Sequence, residues 1–175
     1  MNSIRILMAG SGGQGIVFLG KLLANAALES TPHITFFPSY GAEVRGGNSS
    51  CQVILSPMEI SSPVSWAFDL MILMTPQAAE KFLPALDHGG VAIINSSLIS
   101  CPTAPNRLQV QATREADRLG DQRVANLIML GALMARQSVV KPARIHLLLR
   151  DFLSGNPITL ARNLAAFQCG LNTQS

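Results

Sequence analysis

The sequence predicts an α/β fold: a Rossmann-like sheet that is mixed but mostly parallel, with helices on both faces and a helical C-terminal part. Three observations support this prediction. Short apolar runs alternate with helical patterns over residues 1–120, a glycine-rich turn joins the first run to the first helix, and helical patterns fill residues 121–175. We therefore predict one domain over 1–175, with an α/β core at 1–120 and C-terminal helices at 121–175 packed on it.

The first elements show the alternation most clearly. Ile4–Ala9 is a short apolar run bounded by glycine, as in a buried strand, and Ile16–Leu28 has the broad apolar faces of a helix. Ile34–Phe37 is the second predicted strand, which Pro38 ends. Ser49–Leu55 alternates polar and apolar residues, and no helical pattern separates it from the second strand. We therefore expect it to pair antiparallel, which makes the sheet mixed.

Later elements follow from apolar runs and capping residues. Strands are predicted at Asp69–Met74, Val91–Asn95 and Leu108–Ala112, and helices at Thr75–Leu86, Val124–Arg136, Pro142–Phe152 and Pro157–Gln168. Thr75 is the expected N-cap of the first of these helices, and Thr113 is expected to cap a short turn. Small residues in the helix that begins at Val124 predict close contact with another helix, and Gly155 is a predicted helix stop.

Composition excludes several classes of function. Apolar residues make up 48% of the chain and charged residues 13%, which is about half the share of an ordinary domain. This favours partner chains on part of the surface; the alternative is a merely hydrophobic monomer. The net charge of +3 is dispersed and only one Trp and one Tyr occur, which argues against nucleic-acid binding. Without an apolar run of ~20 residues or a signal-peptide pattern, we expect a cytoplasmic protein that does not contact membranes.

The cysteines and histidines do not form a ligand set. Cys51, Cys101 and Cys169 lie far apart without a CxxC pair, so they are predicted to be free thiols that cannot hold a four-cysteine iron–sulfur cluster. The three histidines lack the spacing of a metal site. We predict neither a bound metal nor a catalytic residue in this chain.

A first glycine-rich loop follows the first predicted strand. Its candidate binding residues are Gly10, Gly12, Gly13, Gln14 and Gly15. The G-x-G-x-x-G spacing places backbone N–H groups at the positive end of a helix, where an anion is stabilised. A nicotinamide site is disfavoured because no acid ends the second strand, and the P-loop motif is absent. Gln14 can hydrogen-bond a partner or a ligand, but the glycines could also serve only to form a tight turn.

A second glycine-rich loop follows the second predicted strand, and we expect the two loops to meet at one end of the sheet. Its candidate binding residues are Tyr40, Gly41, Glu43, Arg45, Gly46, Gly47 and Asn48. The glycines allow positive φ angles, and Arg45 can bind a carboxylate or phosphate with two parallel hydrogen bonds. The alternative is an internal Glu43–Arg45 pair that only shapes the loop.

The two loops together resemble the gamma subunit of 2-oxoacid:ferredoxin oxidoreductases. The matching segments are Gly10-Ser-Gly-Gly-Gln-Gly15 and Ser39-Tyr-Gly-Ala-Glu-Val-Arg-Gly-Gly-Asn48. Further agreement lies at Ser62-Pro63, Asp69, Leu86–Gly90 and Asn126–Leu133, so the resemblance covers nearly the whole chain. Family members often read Pro-Glu-Met-Arg-Gly-Gly-Thr in the second loop, and the departures at Ala42, Val44 and Asn48 blur the subtype.

The resemblance implies a subunit that is inactive alone, in an enzyme converting a 2-oxo acid, coenzyme A and oxidised ferredoxin into acyl-CoA, CO₂ and reduced ferredoxin. It places thiamine diphosphate, Mg²⁺ and 4Fe-4S clusters on partners, namely thiamine-binding alpha and beta subunits and a ferredoxin-like subunit. This chain would dock those subunits, hold no cofactor stably by itself and contribute to coenzyme A binding through Arg45 and the first helix. The alternatives are a stand-alone Rossmann-like nucleotide-binding protein and a purely scaffolding subunit. The 2-oxo acid stays open, with the second loop leaning towards 2-oxoglutarate or a general 2-oxo acid.

Overall fold

The computed structural model describes residues 3–40 and 47–173, which contain six strands and six α-helices. The strands are β1 (Ile4–Ser11), β2 (His33–Tyr40), β3 (Asn48–Ser56), β4 (Phe68–Leu73), β5 (Leu86–Asn95) and β6 (Arg107–Val110). The helices are α1 (Ile16–Ala27), α2 (Pro76–Phe82), α3 (Ala112–Arg118), α4 (Ala125–Arg136), α5 (Pro142–Phe152) and α6 (Pro157–Leu171). Single 3₁₀ turns occupy Leu83–Ala85 and Gln122–Val124. None of the helices in this part of the chain is long and apolar enough to cross a membrane.

The strands form one mixed sheet in the order β2-β3-β1-β4-β5-β6. β1, β4, β5 and β6 run parallel to one another, whereas β3 is antiparallel to both of its neighbours, β1 and β2. The predicted antiparallel strand is therefore confirmed. The reason is physical: the connection of a few residues between β2 and β3 is too short for the crossover that a parallel pair needs.

Helices cover both faces of this sheet, as predicted. Alternate residues of β1 therefore belong to two separate cores, one on each face. Ile6 and Met8 pack in the larger core with α1, α4, α5 and α6, whereas Leu7 and Ala9 pack in the smaller core with α2. Within the larger core, α4 contacts the sheet on one side and α6 on the other. Helix α6 thus forms a second layer outside α4, whereas α5 packs against α1.

Two glycines bring α4 and α6 into backbone contact. A Cβ added to Gly131 would collide with the carbonyl oxygen of Phe167 and would lie 2.8 Å from the Cα of Gly170. A Cβ on Gly170 would collide with the carbonyl oxygen of Ile128. The close helix approach predicted from the small residues of α4 is therefore confirmed.

Some predicted boundaries are wrong for identifiable reasons. Pro38 does not end β2, because β2 is an edge strand and a missing N–H is tolerated there. α2 ends at Phe82, and a 3₁₀ turn containing Pro84 leads into β5, which extends through Gly89 and Gly90. Thr75 is the N-cap of α2 as predicted, since its Oγ1 accepts a hydrogen bond from the N–H of Ala78 at 3.3 Å.

The capping prediction for Thr113 is wrong. Helix α3 begins at Ala112 directly after β6, and its N-cap position, Gln111, makes no side-chain cap. Thr113 therefore lies inside the helix rather than capping a turn. Helix α5 ends at Phe152 as predicted, before Gly155, but Gly155 does not take the left-handed conformation of many helix-ending glycines; the left-handed glycines of the described chain are Gly13, Gly15 and Gly120.

An ion-pair network ties together the amino ends of β1, β4 and β5, at the end of the sheet opposite the first glycine loop. The backbone N–H and Nε of Arg5 both donate to Asp69 Oδ2, at 2.7 and 2.9 Å. Its Nη2 donates to Asp69 Oδ1 at 2.8 Å and to Asp87 Oδ2 at 2.5 Å. Burial alone would raise the pKa of Asp69, but the hydrogen bonds from Arg5 outweigh it and hold that pKa below its ordinary value.

Candidate functional site

The first glycine loop joins the carboxyl end of β1 to α1 through two left-handed residues. Gly13 has φ 90° and Gly15 has φ 71°, which are conformations that side chains with a Cβ rarely adopt. Gly15 also occupies the N-cap position of α1, so no side chain covers the first backbone N–H groups of the helix from that position. The loop therefore exposes the positive end of the α1 dipole at the carboxyl edge of the sheet.

Gln14 closes this loop from within. Its side-chain oxygen Oε1 accepts a hydrogen bond from the backbone N–H of Ser11 at 2.8 Å. A Cβ at Gly10 would collide with the same oxygen and would lie 2.8 Å from the Cβ of Met74, so only glycine fits there. The sequence predicts that the Gln14 amide can hydrogen-bond a partner or a ligand, and in the structure its oxygen has an internal donor, the N–H of Ser11.

Asn126, at the start of α4, braces the other side of the loop. Its Nδ2 donates to the carbonyl oxygen of Gly15 at 3.3 Å, and a Cβ on Gly15 would collide with that nitrogen. The residue is 4% exposed. No local pattern links residues 111 positions apart, so sequence reasoning did not include Asn126 among the site residues.

The two glycine loops meet, as expected, at the carboxyl end of β1. The backbone N–H of Gly12 donates to the carbonyl oxygen of Gly47 at 3.0 Å. Asn48 pairs with Ser11 at the start of β3, and Tyr40 is the last residue of β2. The remaining candidates of the second loop, Gly41, Glu43, Arg45 and Gly46, lie outside the described residues.

Cys51 lies under this junction as a packing residue. Its Sγ approaches the carbonyl oxygen of Ile16 at 3.4 Å, and a Cβ on Gly20 of α1 would collide with the sulfur. Burial raises the pKa of the Cys51 thiol to about 12, so it stays protonated at neutral pH. The thiol therefore holds α1 close to β3 and is not a nucleophile.

Two clefts open on either side of Gly13. The first has a volume of about 350 Å³ and is lined by residues that include Gly13, Gln14, Met74, Leu98, Thr113 and Arg123. The second has about 330 Å³, and its lining includes Gly13, Phe18, Asp121, Arg123, Asn126 and Asn163. Gly13 and Arg123 belong to both. A ligand held at the loop can therefore extend in either direction across Arg123.

Asn95 links two residues that line the first cleft, Met74 and Thr113. This fully buried residue at the end of β5 donates from Nδ2 to the carbonyl oxygen of Met74 at 3.2 Å and to Thr113 Oγ1 at 2.9 Å. It thereby joins the ends of β4 and β5 to the start of α3. The polar residue ends an apolar strand, and that signal could have identified it in the sequence.

The net positive charge beside Gly13 comes from a cluster of one carboxylate, Asp121, and two guanidinium groups, those of Arg123 and Arg162. Asp121 accepts hydrogen bonds from Arg123 Nε at 2.9 Å and Nη2 at 2.8 Å, and Arg162 Nη1 lies 3.5 Å from the same carboxylate. The side-chain hydrogen bond from Arg123 is the main reason that the pKa of Asp121 falls to about 2. Asp121 is therefore ionised at neutral pH, and the three groups together carry one positive charge.

The other depressions of the described chain lie away from the first glycine loop, and one of about 740 Å³ is lined by residues that include Gln109, Glu115 and Cys169. An apolar groove of about 250 Å³ lies at the opposite end of β1, where Ile4, Pro32 and Val140 line it. It is remote from both glycine loops. Within residues 3–40 and 47–173, no three His, Cys, Asp or Glu side chains are close enough to hold a metal ion.

Comparison with known proteins gives a consistent set of relatives. A family model described as pyruvate ferredoxin/flavodoxin oxidoreductase matches residues 5–173. The ketoisovalerate oxidoreductase subunit VorA of Methanothermobacter thermautotrophicus is 35% identical to this chain over 75% of its length. The matched region makes up only 28% of VorA, which is the longer protein. The 2-oxoglutarate synthase subunit KorC of the same organism is 33% identical over 94% of this chain and 92% of KorC.

Solved structures share the fold along the whole chain. The gamma subunit of a keto/oxoacid ferredoxin oxidoreductase from Geobacter sulfurreducens is 28% identical with a TM-score of 0.77, covering 97% of this chain and 95% of that one. A 2-oxoglutarate:ferredoxin oxidoreductase from Magnetococcus marinus, solved with 2-oxoglutarate, coenzyme A and succinyl-CoA, is 22% identical with a TM-score of 0.87. The match covers 98% of this chain and 31% of that larger one, so the fold also occurs inside a longer polypeptide.

Proposed function

The chain belongs to the pyruvate ferredoxin/flavodoxin oxidoreductase family, and from this membership we propose that it acts as the gamma subunit of a multi-subunit 2-oxoacid:ferredoxin oxidoreductase. That enzyme would convert a 2-oxo acid, coenzyme A and oxidised ferredoxin into acyl-CoA, CO₂ and reduced ferredoxin. The observation that carries the proposal is the family match over residues 5–173, and the hydrogen bond between Gly12 and Gly47 supports it by bringing the two motif loops together at the carboxyl edge of the sheet. Ligands of open α/β sheets bind at such edges.

We propose further that coenzyme A binds where the first loop meets α1, with its phosphates at the exposed end of the helix. The local geometry fits such a group. A Cβ on Gly13 would meet no atom within 4 Å, so the loop leaves open space next to its backbone. The helix dipole and the net positive charge of Asp121, Arg123 and Arg162 both favour an anion there.

The proposed role of this chain is to bind and orient the acyl acceptor. Bound coenzyme A would supply the thiol that takes up the acyl group. The described residues of this chain contribute backbone N–H groups, cleft walls and a fixed arginine. The Cys51 thiol is buried and protonated, so it takes no part in acyl transfer.

We propose that thiamine diphosphate, Mg²⁺ and the 4Fe-4S clusters are held by partners, a thiamine-binding alpha/beta pair and a ferredoxin-like subunit. The low charged fraction of 13% supports contact with other chains. Exposed apolar side chains support it as well. Trp66 is 89% exposed and Met58 72%, both in the connection between β3 and β4.

Affinity capture tests the subunit assignment. The tagged chain would be purified from its own cells, grown anaerobically, and co-purified chains would be identified by mass spectrometry. We expect thiamine-binding and ferredoxin-like chains, together with dye reduction that requires both a 2-oxo acid and coenzyme A. A screen of 2-oxo acids would then identify the substrate. Recovery of the chain alone without this activity would refute the assignment.

A pair of variants at Gly13 separates coenzyme A binding from pure scaffolding. Gly13→Asp and Gly13→Asn impose the same backbone strain and nearly the same volume, but only the aspartate adds a negative charge beside the loop. In the intact complex we expect the KM for coenzyme A to be several-fold higher for Gly13→Asp than for Gly13→Asn, with the KM for the 2-oxo acid equal in both. Equal KM values for coenzyme A would favour the scaffolding alternative.

A further inference from the structure

We propose that Arg123 binds a phosphate group of coenzyme A, an inference that rests on the proposed function of the first glycine loop. Arg123 lies on the 3₁₀ turn before α4, far in sequence from both glycine motifs. It lines the cleft on each side of Gly13, so any extended ligand leaving the loop passes it. Sequence motifs did not identify it.

The surroundings of Arg123 favour an anion. The other described residues that line the first cleft are uncharged, so Arg123 is the charged group that a ligand in this cleft would meet. The side chain is 79% exposed, which leaves the guanidinium accessible to a ligand. Met74 and Leu98 provide apolar walls beside it. The cleft thus combines one cation with apolar surface, which suits an elongated ligand carrying phosphates.

The guanidinium is fixed before any ligand arrives. Asp121 binds Nε and Nη2, and the same carboxylate accepts the backbone N–H of Arg123 at 3.0 Å. Among the described residues, Nη1 makes no hydrogen bond to the protein, so this end of the guanidinium remains for a ligand. A pre-oriented arginine fork loses little conformational freedom when it binds a phosphate.

Asp121 does not cancel the charge that the ligand would meet. Arg162 lies 3.5 Å from the same carboxylate, so one negative charge is shared by two guanidinium groups. Arg162 does not line either cleft, whereas Arg123 lines both. Arg123 is therefore the arginine of this cluster that reaches both clefts beside Gly13.

The test uses Arg123→Gln in the intact complex with Arg118→Gln as the matched control. Arg118 is also an exposed arginine paired with a carboxylate, Glu115, and lies outside both clefts, so the two variants change the net charge equally. We expect Arg123→Gln to raise the KM for coenzyme A about tenfold, with kcat at saturating coenzyme A and the KM for the 2-oxo acid unchanged. Arg123→Lys is expected to recover part of the loss, and Arg118→Gln to behave as wild type.

Truncated acceptors identify the phosphate. Dephospho-CoA lacks the 3′-phosphate, and pantetheine lacks every phosphate. An Arg123→Gln defect that disappears with dephospho-CoA assigns Arg123 to the 3′-phosphate, and a defect that disappears only with pantetheine assigns it to the diphosphate. Either result supports the proposal. A defect of equal size with pantetheine would overturn it, because no phosphate would then be involved.

Failure of this inference is distinguishable from failure of the proposed function. If the wild-type complex shows no dependence on coenzyme A, the proposed function itself is wrong. If the dependence is present and Gly13→Asp weakens coenzyme A binding, but Arg123→Gln and Arg118→Gln have the same KM, only the role of Arg123 is wrong. Thermal unfolding of each variant checks that the fold is intact.

Discussion

Replacing Gly15 by alanine should destabilise the fold by way of Asn126. The added Cβ forces a left-handed residue, at about 1–2 kcal/mol, and collides with Asn126 Nδ2. Displacing that amide also breaks its hydrogen bond to the Gly15 carbonyl, at about 1 kcal/mol. The free energy of unfolding should therefore fall by about 2–3 kcal/mol, which lowers Tm by about 4–12 °C in a domain of this size.

Thermal and urea unfolding of the purified chain would measure the effect, with Gly155→Ala as control. A Cβ on Gly155 meets nothing within 4 Å and its φ is not left-handed, so Tm should stay within about 2 °C of wild type. The double variant Gly15→Ala/Asn126→Ala removes the collision, and its cost should be about 1 kcal/mol less than the sum of the single costs. Additive costs, or equal Tm values for Gly15→Ala and Gly155→Ala, would refute the contact.

Two further predictions concern stability away from the loops. Gly131→Ala places a Cβ against the carbonyl oxygen of Phe167, so the free energy of unfolding measured in urea should fall by about 3 kcal/mol. A decrease no larger than that of Gly155→Ala would contradict the backbone contact of α4 and α6. The lowered pKa of Asp69 means that its ion pair with Arg5 stabilises the fold above pH ~4 and that this contribution is lost as pH falls through the folded-state pKa. Urea midpoints from pH 3 to 7 should therefore show Asp69→Asn about 1 kcal/mol less stable than wild type at neutral pH, with the gap closing in acid; a gap independent of pH would disprove the linkage.

Local patterns in the sequence were sufficient for the order of the elements other than α3, which was predicted as a short turn, and for the direction of β3. The direction follows from a connection too short for a crossover, which can be recognised from a single sequence. Boundaries failed where tertiary position decided the outcome. Pro38 stays within a strand because β2 is an edge, and neither its neighbours in the sequence nor its propensity indicates that position.

The candidate site was predictable to the extent that glycine marks unusual backbone. Gly13 and Gly15 are left-handed, and Gly12 contacts the second loop through Gly47, as the two motifs indicated. Asn126 and Arg123 were not predictable, because they reach the loop from the C-terminal third of the chain. Their local sequence is that of an ordinary helix start, and only the packing of α4 brings Asn126 against Gly15 and Arg123 into the clefts beside Gly13.

The contact between Asn126 and Gly15 also has a consequence for the order of events during synthesis. A ribosome has to add another 111 residues after Gly15 before the brace of the loop exists. Helix α4, which carries the brace, contacts α6 along the pair Gly131 and Gly170, near the end of α6. A nascent chain that has emerged only as far as β6 thus holds both glycine motifs but lacks the brace at Gly15. The proposed binding surface can therefore take its final shape only after α4 has been synthesised and has packed against the loop.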